Sequence, residues 1–318
     1  MAWLMLRIVA WRVAQSVIVL LGVTLVVFTL IHLVPGDPVR IALGIRFNPT
    51  IYAALRQRAG LDQPLAVQYF SYLGHALTGN LGVSFQTGQP VTQILLQRLP
   101  ATLSLAVTAM IIGVVIAFPL GVLAAVRHDT WVDGAARVVS QLGVSVPDFF
   151  IGTLLILAFT GTAGSLPPSG YVSLTDNPVE WGRHVLLPAL AVGLVAASIL
   201  TRFIRTAVLE ELGRDYVRTA DAKGIPAALV LRRHVMRNAF VPVLTVVGVQ
   251  LASLLGGVIV VEVLFAWPGL GLLTYQAVEE RDYPVLQGTV LLIAAIFIVV
   301  NLLVDLLYAV VDPRISLR

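Results

Sequence analysis

Few residues of this chain have the types and spacings that chemistry requires. Its five histidines are scattered, and no pair has the spacing of a metal site. No Gly-x-Ser-x-Gly turn presents a serine nucleophile. The chain has no cysteine, which excludes a thiolate nucleophile, a disulfide and a thiolate zinc site. We therefore predict no catalytic residue and no metal site.

The single lysine limits how this chain could use ATP. Lys223 lies between Ala222 and Gly224, whereas a phosphate-binding loop needs the order Gly-Lys-Ser/Thr. The phosphate-binding loop is therefore absent. If ATP drives this protein, another chain must bind and hydrolyse it, and we predict no cofactor in this chain.

Four polar residues inside or beside apolar stretches are candidates for a transport pathway. Asn301 and Asp305 are four residues apart, so a helix places them on one face. A carboxylate at the bilayer centre costs roughly 3 kcal/mol, so Asp305 either serves a pathway or forms hydrogen bonds between helices near the helix end. Asp148, which follows Pro147, and Glu262 could each face a water-filled cavity or pair with an arginine.

An aromatic turn is a further candidate. Trp267 opens the sequence WPGLG at 267–271, which we expect outside the membrane. Its indole could belong to the aromatic belt at the membrane surface. It could equally be part of a re-entrant outer gate.

The composition indicates the elements that must position these residues. Of 318 residues, 58% are apolar and only 12% are charged, whereas soluble domains have about 25% charged residues. This balance excludes an ordinary soluble enzyme and predicts an all-α integral membrane protein. A span needs roughly 20 apolar residues, and six stretches qualify: 9–33, 101–126, 138–160, 185–209, 239–263 and 285–311. No small-residue cleavage site follows the first stretch, so we interpret it as a retained anchor rather than a signal peptide.

The distribution of basic residues predicts the orientation. If the N-terminus is cytoplasmic, 14 of the 21 Lys and Arg residues fall in cytoplasmic segments, as the positive-inside rule requires. An even number of spans then places both termini in the cytoplasm. The formal charge of +4 therefore reflects topology. No basic face carries aromatic stacking residues, so we expect no nucleic-acid partner.

Two polar segments connect the spans. Segment 34–100 alternates turn sequences with two amphipathic pieces at 50–59 and 65–77, which predict helices. We expect this segment to pack as a cap outside the membrane, the alternative being a solvated loop. Segment 210–238 carries Gly224-Ile225-Pro226 between two helix-compatible pieces and predicts a helix, a sharp turn and a second helix at the cytoplasmic surface.

Separated motifs along nearly the whole chain resemble those of the permease subunits of ATP-binding-cassette (ABC) importers. The chain looks most like the B-type permease of dipeptide and oligopeptide importers, whose relatives include nickel and glutathione importers. The motifs that carry this resemblance are LVPGDP at 33–38, LDQP at 61–64, QYFSYL at 68–73, GNLGVS at 79–84, RLPATLSLA at 98–106, DYVRTADAKG at 215–224, RNAFVP at 237–242, FAWPGLG at 265–271, ERDYP at 280–284 and NLLVDLLYAVVDPR at 301–314.

The resemblance implies a coupling helix in the cytoplasmic loop. The family's "EAA" loop ends an alanine-rich turn of helix in glycine and docks in a groove of an ATPase subunit. The matching residues here are Asp215, Arg218, Thr219, Ala220, Asp221, Ala222, Lys223 and Gly224. This loop departs from the general pattern in two ways. Arg218 replaces the initial glutamate, and Pro242 follows Gly224 by 18 residues instead of about 13. Without the resemblance, the same segment would be a helical hairpin with basic residues set by topology.

The resemblance also implies an architecture and a set of partners. Residues 1–98 would hold the anchor helix and a mostly helical extracytoplasmic segment. Residues 99–318 would form a type I importer transmembrane domain with five helices and the coupling loop 210–238. The partners would be a related second permease, two ATPase subunits that bind ATP and Mg, a substrate-binding protein and membrane lipid. We expect a location in the bacterial inner membrane.

The implied function is half of the translocation path for dipeptides or oligopeptides, with nickel or glutathione as the alternative cargo. A secondary transporter coupled to protons or sodium is the alternative from another class. It would need ionisable residues near the bilayer midplane, whereas the acids here lie mostly near span ends. A membrane scaffold is a third alternative, and it would not need the TADAKG segment.

Overall fold

The computed structural model of the protein describes residues 2–33, 35–44, 48–58, 60–160 and 166–311. Apart from one isolated bridge between Val83 and Pro90, the regular structure in these residues is helical. The helices in chain order are α1 (Ala2–Leu33), α2 (Pro38–Leu43), α3 (Pro49–Arg58), α4 (Leu65–Leu77), α5 (Val91–Val126), α6 (Trp131–Ser145), α7 (Asp148–Thr160), α8 (Pro178–Leu212), α9 (Asp215–Ala222), α10 (Ala227–Val230), α11 (Met236–Gly257), α12 (Ile259–Leu264), α13 (Leu270–Glu279) and α14 (Tyr283–Val311).

Several helices of the described chain are long and apolar enough to cross a membrane. Five qualify: Trp11–Leu33, Val91–Val126, Pro178–Leu212, Ala227–Gly256 and Tyr283–Val304. The fourth joins α10 to α11 through one turn of π-helix at Leu231–Val235. The prediction of an all-α membrane protein is confirmed. Helices suit a membrane because they satisfy their own backbone hydrogen bonds in lipid.

The third predicted span, 138–160, is not one straight helix. It consists of α6 and α7, which are bent by 99° at a short break, and it counts as a sixth span only if the bent pair is taken together. Pro147 lies at the break, where its ring removes a backbone donor and disfavours helical geometry at Val146. The structure therefore shows a complete interruption where the sequence predicted one continuous span.

The fifth predicted span, 239–263, is also interrupted. Helix α11 ends at Gly257, and the short helix α12 follows after Val258. Glu262 therefore does not lie at the end of the fifth span, as the sequence predicted, but on α12.

The described chain divides into two compact units. The first comprises residues 1–102 and 268–298. Here α3 and α4 confirm the helices predicted at 50–59 and 65–77, while α2 was not predicted. Tyr69 of α4 contacts α1, with its hydroxyl 3.1 Å from the Thr24 hydroxyl and its ring 5.4 Å from that of Phe28. Helix α4 is therefore in contact with α1, although none of its residues is fully buried.

A charged cluster ties α2 to α3 in this unit. The Asp37 carboxylate caps α2 by accepting the backbone N–H groups of Val39 and Arg40, and it also accepts the Tyr52 hydroxyl at 2.6 Å. Arg56 pairs with it at 2.5 Å. Burial alone would raise the pKa of Asp37, but these hydrogen bonds and the Arg56 charge together lower it below its ordinary value.

A buried carboxylate holds the turn before α14 to the segment before α5. Asp282 is only 3% exposed, and it accepts the Ser84 hydroxyl at 2.5 Å and the Phe85 N–H at 3.1 Å. Beside it, Gln86 donates to the Glu280 carbonyl at 2.9 Å. These contacts give the motifs GNLGVS and ERDYP a shared structural role, which their separation of nearly 200 residues hides in the sequence.

The second unit comprises residues 103–267 and 299–318, and α8 is its most buried helix. Glycines allow α5 to approach it closely. A Cβ added at Gly193 of α8 would lie 2.8 Å from the Ala109 carbonyl, and one added at Gly121 of α5 would lie 2.8 Å from Ile204. Such small-residue contacts hold helices together in lipid, where the hydrophobic effect between helices is weak.

Replacing the buried carboxylate should weaken the first unit. We expect Asp282→Asn to lower the free energy of unfolding by about 2 kcal/mol, because it weakens charge-assisted hydrogen bonds in a buried site. The measurement is denaturant unfolding of the purified chain in detergent. The exposed Asp176→Asn is the control and should have little effect. Equal stability of the two variants would contradict the role given to Asp282.

Candidate functional site

One face of helix α9, its inner face, packs against the rest of the second unit. Val217 and Ala220, three residues apart, are 7% and 8% exposed. They join a hydrophobic cluster with Val208 of α8, Val230 of α10 and Val235 of the π-turn. The short helix therefore rests on the long helices that precede and follow it.

The outer face of α9 is free of such packing. Asp215, Arg218, Thr219 and Ala222 are exposed, and a spacing of three and four residues places them on one side of the helix. Arg218 pairs with Asp215 at 3.4 Å, but both side chains are largely exposed. An exposed pair of this kind contributes little to stability and is available to a partner.

Gly224 ends α9 in a conformation that glycine favours. Its φ of 71° is left-handed. The Gly224 N–H donates to the Asp221 carbonyl at 2.9 Å, and the Ile225 N–H donates to the Ala220 carbonyl at 3.2 Å. This is the Schellman pattern, in which a left-handed residue closes the last turn of a helix. The predicted helix, sharp turn and second helix are thus confirmed.

A hydroxyl group fixes α9 relative to its neighbours. The Tyr216 hydroxyl donates to the Glu211 carboxylate of α8 at 2.7 Å and accepts from the Asn238 amide of α11 at 3.4 Å. Burial, followed by the bond to Glu211, raises the pKa of Tyr216 above its ordinary value. Sequence reasoning did not identify Tyr216, because its partners come from two other helices.

The predicted coupling residues divide into two groups. Ala220 faces the core of its own unit, so it holds α9 in place and is not exposed to a partner. Asp221, Lys223 and Gly224 are exposed beside the outer face. The surface that remains for a partner is therefore defined by the seven exposed residues Asp215, Arg218, Thr219, Asp221, Ala222, Lys223 and Gly224, which we call the α9 face.

The candidate pathway residues are not brought together into one described site. Asp148 is the first residue of α7, is partly buried and accepts the backbone N–H of Phe149 at 2.7 Å. A carboxylate in the first turn stabilises the positive end of a helix. The structure therefore gives Asp148 a local role at the start of α7.

Glu262 and Trp267 belong to a tightly packed part of the second unit. Glu262 is 1% exposed and Trp267 is fully buried. The backbone N–H of Trp267 donates to the Glu262 carbonyl at 2.8 Å. The indole ring of Trp267 meets the ring of Tyr171 edge-on, with 4.8 Å between the ring centres. A fully buried indole is not part of an aromatic belt in contact with lipid, so the belt interpretation is wrong.

Of the candidate pair Asn301 and Asp305, the structure describes the side chain of Asn301. Asn301 is partly buried on α14. Asp305 follows it by one helical turn, and its side chain lies outside the part of the chain that the structure describes.

The most buried charge in the second unit was not predicted as functional. Asp133 of α6 is fully buried and binds Arg205 of α8 through two hydrogen bonds of 2.5 and 2.8 Å. Arg137 lies 3.5 Å from the same carboxylate. The i,i+4 spacing of Asp133 and Arg137 was visible in the sequence, but the 72-residue separation from Arg205 was not informative.

Two family models match the chain. The model described as binding-protein-dependent transport system inner membrane component matches residues 117–317. The corresponding N-terminal model matches residues 5–106.

Curated relatives match over nearly their full length. A putative peptide transport system permease protein of Brucella melitensis is 41% identical and is aligned over 98% of this chain and 99% of the relative. A dipeptide transport system permease protein of Alkalihalophilus pseudofirmus is 38% identical over 96% and 98%. A glutathione transport system permease protein of Salmonella choleraesuis is 42% identical over 99% and 100%.

A solved structure shares the fold. A chain of the MetNI methionine ABC transporter, in an inward-facing conformation, superimposes with a TM-score of 0.57. The match covers 69% of this chain and 97% of that chain at 17% sequence identity. At this identity the likeness shows the fold alone.

Substituting the capping glycine should destabilise the end of α9. We expect Gly224→Ala to cost about 1 kcal/mol, because the Cβ makes a left-handed φ unfavourable. In Gly182→Ala of α8 the new Cβ meets open space within a helix, so this control should be neutral or slightly stabilising. Proteolysis of the 213–230 region in detergent measures both. Unchanged cleavage of Gly224→Ala would contradict the importance of the cap.

Proposed function

Since the chain belongs to the family of binding-protein-dependent transport system inner membrane components, and is a permease subunit of an ABC importer, we propose that it carries peptides across the membrane. It forms half of the translocation path, and a related second permease forms the other half. A substrate-binding protein delivers the cargo from outside. Both termini lie in the cytoplasm.

Peptide cargo is supported by the names of the relatives. Proteins 38–42% identical over nearly the whole chain are named as peptide, dipeptide and glutathione permeases. Glutathione is itself a tripeptide, so the three names share one chemical class. We therefore propose short peptides as the cargo, with glutathione as the specific competitor to test.

Coupling to ATP is assigned to the α9 face. The observation that carries this proposal is a short helix whose inner side is buried while its outer side is polar and unpacked. Two ATPase subunits would bind ATP and Mg, and the groove of one would receive the α9 face. We assign ATP binding to those subunits because the single lysine of this chain is not part of a phosphate-binding loop.

The transport cycle follows from two conformations. ATP binding would close the two ATPase subunits and move α9, which is rooted between α8 and α10. The spans would then expose their cavity outward to receive the peptide, and hydrolysis would return them inward. The permease contributes the different stabilities of the two states, which partner binding shifts.

A charge on the α9 face should uncouple the importer. We expect Ala222→Asp to reduce both recovery of the ATPase subunits and peptide-stimulated ATP hydrolysis more than tenfold, because an unpaired charge in an interface is costly. The complex is purified in mild detergent for both measurements. Ala53→Asp, on an exposed alanine of α3, is the matched control and should behave as the unaltered protein.

Two results would contradict this assignment. Full retention of the ATPase subunits by Ala222→Asp would show that α9 is not part of the interface. An unaltered chain that purifies without ATPase subunits, and whose transport stops when an ionophore dissipates the ion gradient, would instead support an ion-coupled secondary transporter.

The cargo is tested separately in cells that depend on this importer for peptide uptake. We expect unlabelled dialanine and trialanine to reduce uptake of labelled dialanine, since a binding protein for short peptides recognises their shared backbone and termini. Nickel ions should have no effect on uptake. Uptake of labelled glutathione that alanine peptides do not inhibit would restrict the cargo to glutathione and contradict the broader proposal.

A further inference from the structure

A basic pocket lies between α6 and α8 in the second unit. Its volume is about 300 Å³. Its described lining consists of Ala136, Arg137, Ser140, Gln141, Val144, Ser198, Thr201, Arg202 and Arg205, among which three are arginines and none is acidic. Coupling through α9 does not involve these residues.

Two contacts between the helices define the ends of the pocket. At one end a Cβ on Gly143 would lie 1.9 Å from the Ser198 hydroxyl, so α6 and α8 nearly touch. At the other end Asp133 pairs with Arg205. The helices run antiparallel, and the two contacts are ten residues of α6 apart, which is about 15 Å. The space between them is open because Ser140 and Thr201 are small.

The pocket has a surplus of positive charge. Asp133, which does not line the pocket, accepts hydrogen bonds from two nitrogens of Arg205 and also lies 3.5 Å from Arg137. No carboxylate in the described part of the chain forms an ion pair with Arg202, which is exposed. Arg137 and Arg202 therefore line one space from two helices, an arrangement that suits a phosphate group. The Arg202 guanidinium also lies 5.8 Å from the centre of the Phe203 ring.

The position of the pocket along the helices favours a lipid over a soluble anion. Arg137 lies in the second turn of α6, and Arg202 and Arg205 lie in the last three turns of α8. Guanidinium groups at the ends of spans lie at the depth of lipid headgroups. On α6, Val138, Val139 and Leu142 are 58–60% exposed, which offers an apolar surface for acyl chains beside the pocket.

We propose that the α6–α8 pocket binds the phosphate of an anionic phospholipid headgroup, with Arg202 and Arg137 as its principal contacts. The Ser140 hydroxyl and the Gln141 amide can donate further hydrogen bonds. A lipid bound there would bridge α6 and α8 at the end where Asp133 and Arg205 already join them.

The test uses the delipidated importer complex in mild detergent and native mass spectrometry. Dioleoylphosphatidylglycerol is titrated into the unaltered protein, Arg202→Gln and Arg127→Gln. Arg127 is exposed, lies in the connection before α6 and does not line the pocket, so its variant removes the same charge elsewhere. We expect one lipid to bind saturably, about tenfold more weakly in Arg202→Gln and within twofold of normal in Arg127→Gln.

Other probes distinguish the sources of the anion. Dioleoylphosphatidylcholine, whose choline group balances its phosphate charge, should bind no better to the unaltered protein than to Arg202→Gln. Displacement of phosphatidylglycerol by millimolar inorganic phosphate would assign the pocket to a soluble anion and overturn the proposal. Displacement by dialanine would assign it to the cargo pathway and also overturn it.

Folding of the variants is controlled independently. Arg202→Lys keeps the charge and should retain most of the affinity for phosphatidylglycerol. If Arg202 served only folding, its substitution would change the binding of phosphatidylglycerol and phosphatidylcholine equally. Equal binding of phosphatidylglycerol to the unaltered protein, Arg202→Gln and Arg127→Gln would overturn the assignment.

Discussion

Close packing around α8 is the constraint on which the second unit depends. In its most apolar stretch of 18 residues, 61% of the residues of α8 are buried. The corresponding share is 17–39% in the other four spans that are not bent. Lipid is as apolar as the side chains, so these helices associate through close contact and polar pairs. Glycines at 121 and 193 provide the contact with α5, and Asp133 with Arg205 provides the polar pair with α6. Because α9 follows α8 after only two residues, the same packing fixes where the α9 face is presented.

The sequence predicted the helical fold well because its signals are local. Apolar stretches of sufficient length located the spans, and periodicity located α3 and α4 within one residue of the expected ranges. The interruptions were harder to predict. A proline at 147 is compatible with a kink or a break, and the 99° bend depends on how α6 and α7 each pack against α8. No proline or glycine marks the π-turn at 231–235, so nothing local indicated it.

The same distinction applies to the functional residues. The cap at Gly224 follows from neighbouring residues, so motif and spacing were sufficient there. They did not separate the two faces of α9, because Ala220 was assigned to docking and the structure shows it buried. Tyr216 was missed because its hydroxyl joins residues of α8 and α11, and Asp133 was missed because Arg205 is distant in sequence. Of the two interpretations of Trp267, only the aromatic belt was wrong, and for a related reason. An aromatic residue near a span end suggests the membrane surface, and only the contact with Tyr171 shows that the indole is buried.

The attachment of α9 constrains how this short helix can move. Its inner residues Val217 and Ala220 share a hydrophobic cluster with α8, α10 and the π-turn, and Tyr216 adds a polar bridge from α8 to α11. A displacement of α9 therefore cannot be absorbed by sliding over an exposed surface, because it would open a packed core and break the hydrogen bonds of Tyr216. The lower-cost response is for the adjoining ends of α8, α10 and α11 to move with it, since packed interiors change between discrete arrangements and do not deform gradually.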